Sequence, residues 1–471
     1  MGIGNLFSAV KKASERPGAL PDREEIAKIL RVSPELLGQF ENSYRKSILD
    51  TGFDTGNLMD VAGKREYHAD GDVPGQVSSL SERIADEMYA VQTGALPDTS
   101  DSLVTKEELS AIPRDVRPQC TATLFHRDID TDLPSAPVVY MLSRYMKATD
   151  EKDRKQAYGM FRAGLDTMDL DPVLYAMLGL NRNSMGYWFP ALKAAADRQD
   201  FFRVPETKIV KVPFTILQTT RCFDYGSINA ATKDIVNRWC MKAFGLDPAK
   251  TYFVKTGTFS SKFDFRNAKV TGEKEVRELG EYLLWLSCQA VAMCNMLNGH
   301  PTYGVSTTNE WVVREYIEDT ENNPTIYKGM PLHTEYRFFV DFDTKKILGV
   351  SPYWRPDVMK RRFGHAPDAD SPHNYHDYII YSMHEPVLMK RYEDNVERVA
   401  ENLQRIVNDT DLTGQWSIDI MQNGDDFWII DMALAENSAL SDCVPEGALR
   451  KEAENWIPEL PGAPENPETG D

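Results

Sequence analysis

The pattern of apolar and polar positions divides the chain into a helical first part and a strand-rich second part. In residues 1–130, a region of unknown role, helix signals occur at Pro21, at Ser33-Pro34 and in an amphipathic run over residues 79–92. Residues 131–204 continue as a helical linker. Residues 205–456 form a strand-rich core, and the Pro- and Glu-rich residues 457–471 are predicted to be a disordered tail.

Short β-rich runs fill the core, and only two long amphipathic helices interrupt them. These helices are predicted over residues 273–297 and 390–408, where apolar residues recur at helical spacing. The β-rich runs are KIVKVPFTIL, TYFVKT, EWVVREYIE, TEYRFFVDF, KILGVSPYW, QWSIDIM and FWIIDMAL. Many strands with few helices favour an α+β fold with antiparallel sheets over a doubly wound parallel sheet.

Asp419 and Asp431 lie in the last two runs, which read as a β-hairpin around Asn423-Gly424. Both acids have apolar neighbours, and a buried carboxylate is costly unless a cation or a donor satisfies it. Two converging carboxylates indicate Mg²⁺ or Mn²⁺. A two-residue Asn-Gly turn would put Asp419 across from Trp428, with Asp431 on the other face. A metal site therefore predicts an odd-length loop, such as residues 424–426; a strand-end cap is the alternative for Asp431.

Two basic residues flank a loop of small and hydroxyl-bearing residues. Lys255 ends the run TYFVKT, and Lys262 follows Gly-Thr-Phe-Ser-Ser. Ammonium groups, hydroxyls and backbone N–H groups on such a loop are suited to phosphates. A solvated strand end followed by a plain connection is the alternative.

Two further runs carry candidate binding residues. EWVVREYIE ends on an acidic tip, where exposed backbone could dock a nucleotide base and a nearby acid could bind ribose; a solvated tip is the alternative. In TEYRFFVDF, the strand period of two puts Glu335 and Arg337 on one face. Arg337 could be held by Glu335 and directed at a phosphate or carboxylate. A solvated cross-strand ion pair, worth under about 1 kcal/mol, is the alternative.

Composition limits the classes of partner. The chain has 471 residues, 42% of them hydrophobic and 27% charged, which is typical of a soluble globular protein. Its formal net charge of −19 argues against nucleic-acid and anionic-membrane partners, because their phosphates bind clustered Lys and Arg. The 6 cysteines form no C-x-x-C pair and there is no long apolar span, so a cytoplasmic protein with reduced thiols is expected.

The order of these segments resembles the ATP-grasp superfamily, in which ATP lies between two α+β lobes. Within it the chain is most similar to cell division cycle 123-type proteins and to the phage and bacterial ATP-grasp clade named for an arginine and two lysines. The resemblance covers about residues 185–445. It rests on Trp188-Phe-Pro, KIVKVPFTIL, VKTGTFSSKFDF, TEYRFFV, GVSPYW and SIDIMQNGDDFWIIDM.

The resemblance implies ATP and Mg²⁺ (or Mn²⁺) as cofactors, with a role for each matching residue. Lys255 and Lys262 would contact the phosphates, and Arg337 would approach the transferred phosphoryl group, with Lys262 and Arg337 as the catalytic pair. The adenine would dock on Glu315, Tyr316 and Ile317, with Glu318 near the ribose. Asp419 and Asp431 would bind the metal. Where the superfamily has Asp/Glu-x-Asn, this chain has Asp431-Met432-Ala433, so Asn437 or Glu436 would be the substitute ligand.

Two functions follow from the resemblance. The first is an ATP-dependent ligase that joins a carboxylate to an amine through an acyl-phosphate, with a protein or peptide among the allowed substrates. The second is a nucleotide-binding assembly chaperone of the cell division cycle 123 type, which does not ligate. The altered metal motif and the additional N-terminal region favour the second.

Overall fold

The structure is a computed structural model that describes residues 75–95, 104–113, 116–121, 175, 178–179, 181–222, 224–260, 262–294, 305–363 and 372–450. The predicted helix starts at Pro21 and Ser33-Pro34 and the predicted tail lie outside these residues. Numbered in chain order, the helices are α1 (Gly75–Gln92), α2 (Lys106–Ala111), α3 (Met185–Ala196), α4 (Phe214–Cys222), α5 (Ala230–Phe244), α6 (Gly272–Arg277), α7 (Leu279–Cys294), α8 (Pro356–Phe363) and α9 (Pro372–Asp409). The strands are β1 (Phe202–Arg203), β2 (Thr207–Lys211), β3 (Tyr252–Thr256), β4 (Lys269–Val270), β5 (Glu310–Glu315), β6 (Thr325–Ile326), β7 (Met330–Pro331), β8 (Thr334–Asp341), β9 (Lys346–Pro352), β10 (Gln415–Asn423) and β11 (Asp426–Leu434).

The larger sheet has the strand order β1-β11-β10-β8-β9. Its neighbours run antiparallel, except that β1 pairs with β11 in parallel. One face packs against α3 and α9, and Trp416, Tyr336 and Phe338 are fully buried there. This apolar layer fixes the register, because a one-residue slip would turn each of these side chains to the opposite face.

The smaller sheet has the order β2-β5-β3-β4, and all its pairings are antiparallel. Helices α5 and α7 contact this sheet, and α1 packs on α5. Trp239 of α5 and Trp311 of β5 are buried in this core, which also takes in Ile84 of α1. The predicted α+β class with antiparallel sheets is therefore confirmed, and α1 confirms a helix in the N-terminal region.

Several element boundaries differ from the sequence predictions. KIVKVPFTIL is a strand only to Lys211, because the carbonyl of Pro213 accepts the first helical hydrogen bonds and α4 begins after it. The predicted helix over 273–297 is broken between α6 and α7. Gly280, the second residue of α7, lies against the backbone of α5, where an added Cβ would be 2.7 Å from the Val236 carbonyl carbon. The predicted helix over 79–92 starts earlier, at Gly75.

The predicted helix over residues 390–408 is the second half of α9, which starts at Pro372. It spans part of the Asp- and His-rich run HAPDADSPHNYHDYIIYSMH, whose composition by itself is typical of a solvated loop. Pro372 stands at the first helical position, where a missing N–H costs nothing. Pro386 lies inside the helix, and the burial of Tyr381 and Leu388 on either side of it offsets the lost hydrogen bond.

The β10–β11 hairpin has the predicted pairing of Asp419 with Asp431, but its turn differs from the predicted one. Its two-residue turn is Gly424-Asp425, with Asn423 opposite Asp426, so neither the Asn-Gly turn nor a three-residue loop is used. Gly424 takes φ +62°, which glycine adopts without strain. A β-bulge at Ile430 then shifts the register by one residue and brings Asp431 opposite Asp419. The predicted pairing is confirmed, and the predicted loop is wrong.

In the described residues, no helix is long and apolar enough to cross a membrane. Cys120, Cys240, Cys288 and Cys443 carry free thiols, as the sequence predicts. Three of these are buried, and burial raises the pKa of the Cys120 thiol to about 12 because the thiolate would lose its hydration. These cysteines are packing residues rather than nucleophiles.

Candidate functional site

A cavity of about 310 Å³ lies between the two sheets. The smaller sheet contributes residues of β3 and β5, and the larger sheet contributes residues of β8, β10 and β11. The volume is within the range of small-molecule sites. Predicted site residues that line it are Lys255, Lys262, Glu315, Tyr316, Ile317, Arg337, Asp419 and Asp431. Segments separated by more than 170 positions in the chain thus form one cleft.

Asp431 and Lys255 form an ion pair across the cleft. The Lys255 Nζ donates to Asp431 Oδ1 at 2.9 Å, and the Lys255 side chain is 3% exposed. Burial disfavours charge on Asp431, but the charge and hydrogen bond of Lys255 outweigh that penalty and hold the pKa of the carboxyl below its ordinary value. The Asp431 carboxylate is therefore charged at neutral pH.

Asp419 holds Arg337 in a two-point pair. Arg337 Nε donates to Oδ1 at 2.7 Å and Nη2 to Oδ2 at 2.6 Å, and both side chains are largely buried. The expectation that Glu335 holds Arg337 is wrong. The reason is register: β8 and β10 place Asp419 directly opposite Arg337, whereas Glu335 is opposite Met421.

Arg314 is a cleft residue that the sequence reasoning missed. It is buried on β5 and donates to the carbonyl of Ile430 and to Thr207 Oγ1, the latter at 3.1 Å. Burial lowers its pKa to about 10, against the opposing effect of Asp431. An Arg within the apolar run EWVVREYIE was the available signal, because an arginine is rarely buried without a partner.

Lys262 enters the cleft at the end of β9. Its Nζ lies 4.1 Å from the centre of the Tyr353 ring and 5.6 Å from that of Trp354. Glu335 lies beside it and accepts a hydrogen bond from Trp354 Nε1 at 3.2 Å. Burial raises the pKa of Glu335 to about 7, although Lys262 opposes the shift and Asp419 adds to it.

The opposite end of the cavity is apolar. Phe253, Phe265 and Tyr316 form a continuous aromatic wall, with ring centres 6.0 Å and 6.3 Å apart along the series. Ile317, Met330 and Met421 are further apolar residues of the cavity lining. The cleft thus combines a charged end with a flat apolar end, which suits a ligand that has a polyanion attached to a ring.

Comparison with known proteins gives a structural likeness and no sequence relative. No protein-family model and no curated protein sequence matches the chain. Among solved structures, Cdc123 from Schizosaccharomyces pombe is similar over 55% of this chain and 85% of that chain, with 14% identity and a TM-score of 0.32. A C-terminally truncated form of it is similar over 54% and 84%, with 14% identity and a TM-score of 0.31. At these scores the likeness supports no functional argument.

Two predicted residues lie away from the cavity. The Glu318 side chain is 68% exposed, and its carboxylate approaches Lys269 at 3.9 Å. Asn437 lies in the 3₁₀ turn Ala435–Asn437 together with Glu436, and its Oδ1 accepts a hydrogen bond from Asn183 at 2.8 Å. Neither Asn437 nor Glu436 lines the cavity with Asp419 and Asp431.

The two aspartates fit one kind of metal site. In the part of the chain that the structure describes, no group of three or more His, Cys, Asp or Glu side chains is arranged to hold a metal ion. Mg²⁺, however, is commonly held by one or two carboxylates while phosphate oxygens and waters fill the other positions. Asp419 and Asp431, opposite each other on adjacent strands, fit an ion that arrives with a phosphate ligand.

Replacing Glu335 by Gln is expected to stabilise the protein above neutral pH by about 1–3 kcal/mol. Between pH 4.5 and about 7 the folded protein keeps a proton on Glu335 that the unfolded chain has lost. The free energy of unfolding of the wild type therefore falls as pH rises through that window, and the lost stability is not regained at higher pH. Urea unfolding at several pH values measures the difference, with exposed Glu397→Gln as the control. A gain that does not change with pH would contradict the prediction.

Proposed function

We propose that the cleft binds ATP together with Mg²⁺. The proposal rests on one observation: four basic groups and two paired aspartates lie together at one end of a cavity, and the other end is aromatic. The basic groups are Lys255, Lys262, Arg314 and Arg337. With a formal net charge of −19, the protein repels polyanions in general, so a local cluster of four cations inside a cleft indicates a specific anionic ligand.

The charge balance supports a nucleoside triphosphate with a divalent ion. In the structure, Lys255 and Arg337 neutralise Asp431 and Asp419. A divalent ion would replace these cations on the two carboxylates, which would free Lys255 and Arg337 for the phosphates. Every buried charge then keeps a partner of opposite sign. The aromatic end, beside the backbone of Glu315–Ile317, would take the adenine.

A ligase is the enzymatic form of this proposal. Phosphoryl transfer to a carboxylate needs little more than positioning and charge neutralisation, which Lys262, Arg337 and the metal would supply. The non-ligating alternative, a nucleotide-dependent assembly chaperone, is favoured by the position of Asn437. With two protein ligands rather than three, the site is better suited to holding one nucleotide-bound ion than to arranging two ions for turnover.

Replacing Asp431 by Ala is expected to weaken Mg²⁺-dependent ATP binding at least about tenfold, about 1.4 kcal/mol. The change removes one of the two carboxylates proposed to hold the ion. Calorimetric titration of wild type and variant with ATP and Mg²⁺ measures the effect, and Asp411→Ala, an exposed aspartate outside the cleft, is the matched control. Unchanged Mg²⁺-dependent affinity would overturn the metal assignment.

A second assay separates ligase from chaperone. Release of ADP and phosphate that depends on both an added carboxylate and an added amine would support the ligase. Tight binding of ATP without turnover, together with a defined protein complex that forms only with nucleotide, would support the chaperone. Absence of ATP binding in wild type would overturn both.

A further inference from the structure

One edge of the cleft forms a cage around the ammonium group of Lys262. The cage consists of the Tyr353 and Trp354 rings, whose centres lie 4.1 Å and 5.6 Å from Nζ, and of the carboxylate of Glu335, which accepts a hydrogen bond from Trp354 Nε1. Aromatic faces attract cations through the ring quadrupole, and a nearby carboxylate that has lost its proton adds a negative charge. Such a combination selects an ammonium group over a neutral amine or an anion.

The walls of the cage are held in place independently of Lys262. Trp354 is 2% exposed, its carbonyl accepts a hydrogen bond from Tyr381 at 2.8 Å, and its Nε1 donates to Glu335. The Tyr353 N–H donates to the Glu335 carbonyl at 2.9 Å, and the Tyr353 and Trp354 rings pack edge to face at 5.0 Å. Lys262, in contrast, reaches the cage from the loop that follows β3. The cage is thus a preformed site into which the chain inserts its own lysine.

We propose that this cage, defined by Tyr353, Trp354 and Glu335, is the binding site for the alkylammonium group of a second substrate. This inference rests on the proposed nucleotide site, because Lys262 vacates the cage when it moves onto the phosphates. Its departure would leave the Glu335 carboxylate without its nearest lysine. An incoming ammonium group restores that partner, and a shielded carboxylate gains strongly from regaining one.

The class of ligand follows from the group that the cage now holds. Lys262 presents a primary ammonium at the end of a four-carbon chain, so a lysine-like primary amine reproduces both the charge and the apolar stem. The site lies beside Arg337, whose guanidinium carbon is 4.7 Å from the centre of the same Tyr353 ring. The amine would therefore be held next to the proposed phosphate end of the cleft.

The decisive test uses Lys262→Ala with n-butylammonium as the probe. We expect saturable binding by calorimetry to the variant, at least tenfold weaker binding when Glu335→Gln is added, and no binding of n-butanol. Lys269→Ala is the matched control, because Lys269 lies 4.0 Å from the Tyr316 ring with the Glu318 carboxylate at 3.9 Å, but that carboxylate is exposed. Failure of a folded Lys262→Ala protein to bind the probe would overturn the proposal.

A second arm uses the wild-type protein with Mg²⁺ and a non-hydrolysable ATP analogue. We expect n-butylammonium to bind only when the nucleotide is present, because Lys262 blocks the cage otherwise. If n-butylammonium binds to Lys262→Ala but nucleotide does not change its binding to the wild type, the cage is supported and the movement of Lys262 is contradicted. Lack of ATP binding would count against the proposed function, and the result with Lys262→Ala would still decide on the cage.

Discussion

Replacing Asp419 by Ala is expected to lower the free energy of unfolding by about 3–5 kcal/mol. Asp419 and Arg337 are the most deeply buried ion pair of the cleft, with side chains 8% and 13% exposed. The substitution leaves the guanidinium of Arg337 with its main partner gone and with little access to water. Urea denaturation of wild type and variant gives the difference directly.

If the loss of stability comes from the unpaired charge of Arg337, a second result should follow. The double variant Asp419→Ala with Arg337→Met removes both charges, so it should recover most of the stability lost in the single variant. Arg203→Met, which breaks the exposed pair with Asp426, is a control and should change stability by no more than about 1 kcal/mol. A double variant that is less stable than Asp419→Ala would show that the loss comes from packing rather than from an unpaired charge.

Magnesium and ATP are expected to bind with strong mutual dependence. Either one alone has to break the Lys255–Asp431 and Arg337–Asp419 pairs and leave one set of charges without partners, and all of these except Asp431 are largely buried. Together they supply a partner for each. Mg²⁺ should therefore raise the affinity for ATP by about 100-fold, or about 2.7 kcal/mol, which is at the upper end of ordinary coupling between two ligands.

Calorimetric titrations of ATP with Mg²⁺ and with a chelator measure this coupling. The reciprocal titration of Mg²⁺ should show about 100-fold weaker binding without nucleotide than with it, because linkage is symmetric. Asp431→Asn keeps the shape of the side chain and removes its charge, so it should reduce the effect of Mg²⁺ severalfold, while Asp411→Asn should not. Equal affinity for ATP in chelator and in Mg²⁺ would contradict the exchange of partners.

Local signals in the sequence were sufficient for the fold class and for most strands. Alternating apolar positions predict β8 and β10, and the side chains on their faces follow from the period of two. The errors arise where a single residue changes the local structure. Pro213 ends one strand early, and Gly280 lets a helix approach the backbone of another. These effects depend on which element packs against that residue, and a sequence pattern does not report packing.

The candidate site was partly predictable for the same reason. The placement of Asp419 opposite Asp431 was predicted, but the turn was wrong, because a bulge at Ile430 rather than the loop length changes the register. The pairing of Arg337 with Asp419, and the cleft positions of Arg314 and Glu335, depend on contacts between β5, β8 and β10. Glu318 and Asn437 are close in sequence to cleft residues and yet point elsewhere.

The sequence by itself determined the α+β class, the runs that become strands and the charged residues those strands carry, because hydrophobic period and side-chain chemistry are local properties. Only the tertiary structure decided which charges meet. It paired Lys255 with Asp431 and Arg337 with Asp419, and it placed the Lys262 ammonium between Tyr353, Trp354 and Glu335. The physical reason is that a charge acts on whatever lies within a few ångströms, and the partners in the two ion pairs are 82 and 176 positions apart along the chain.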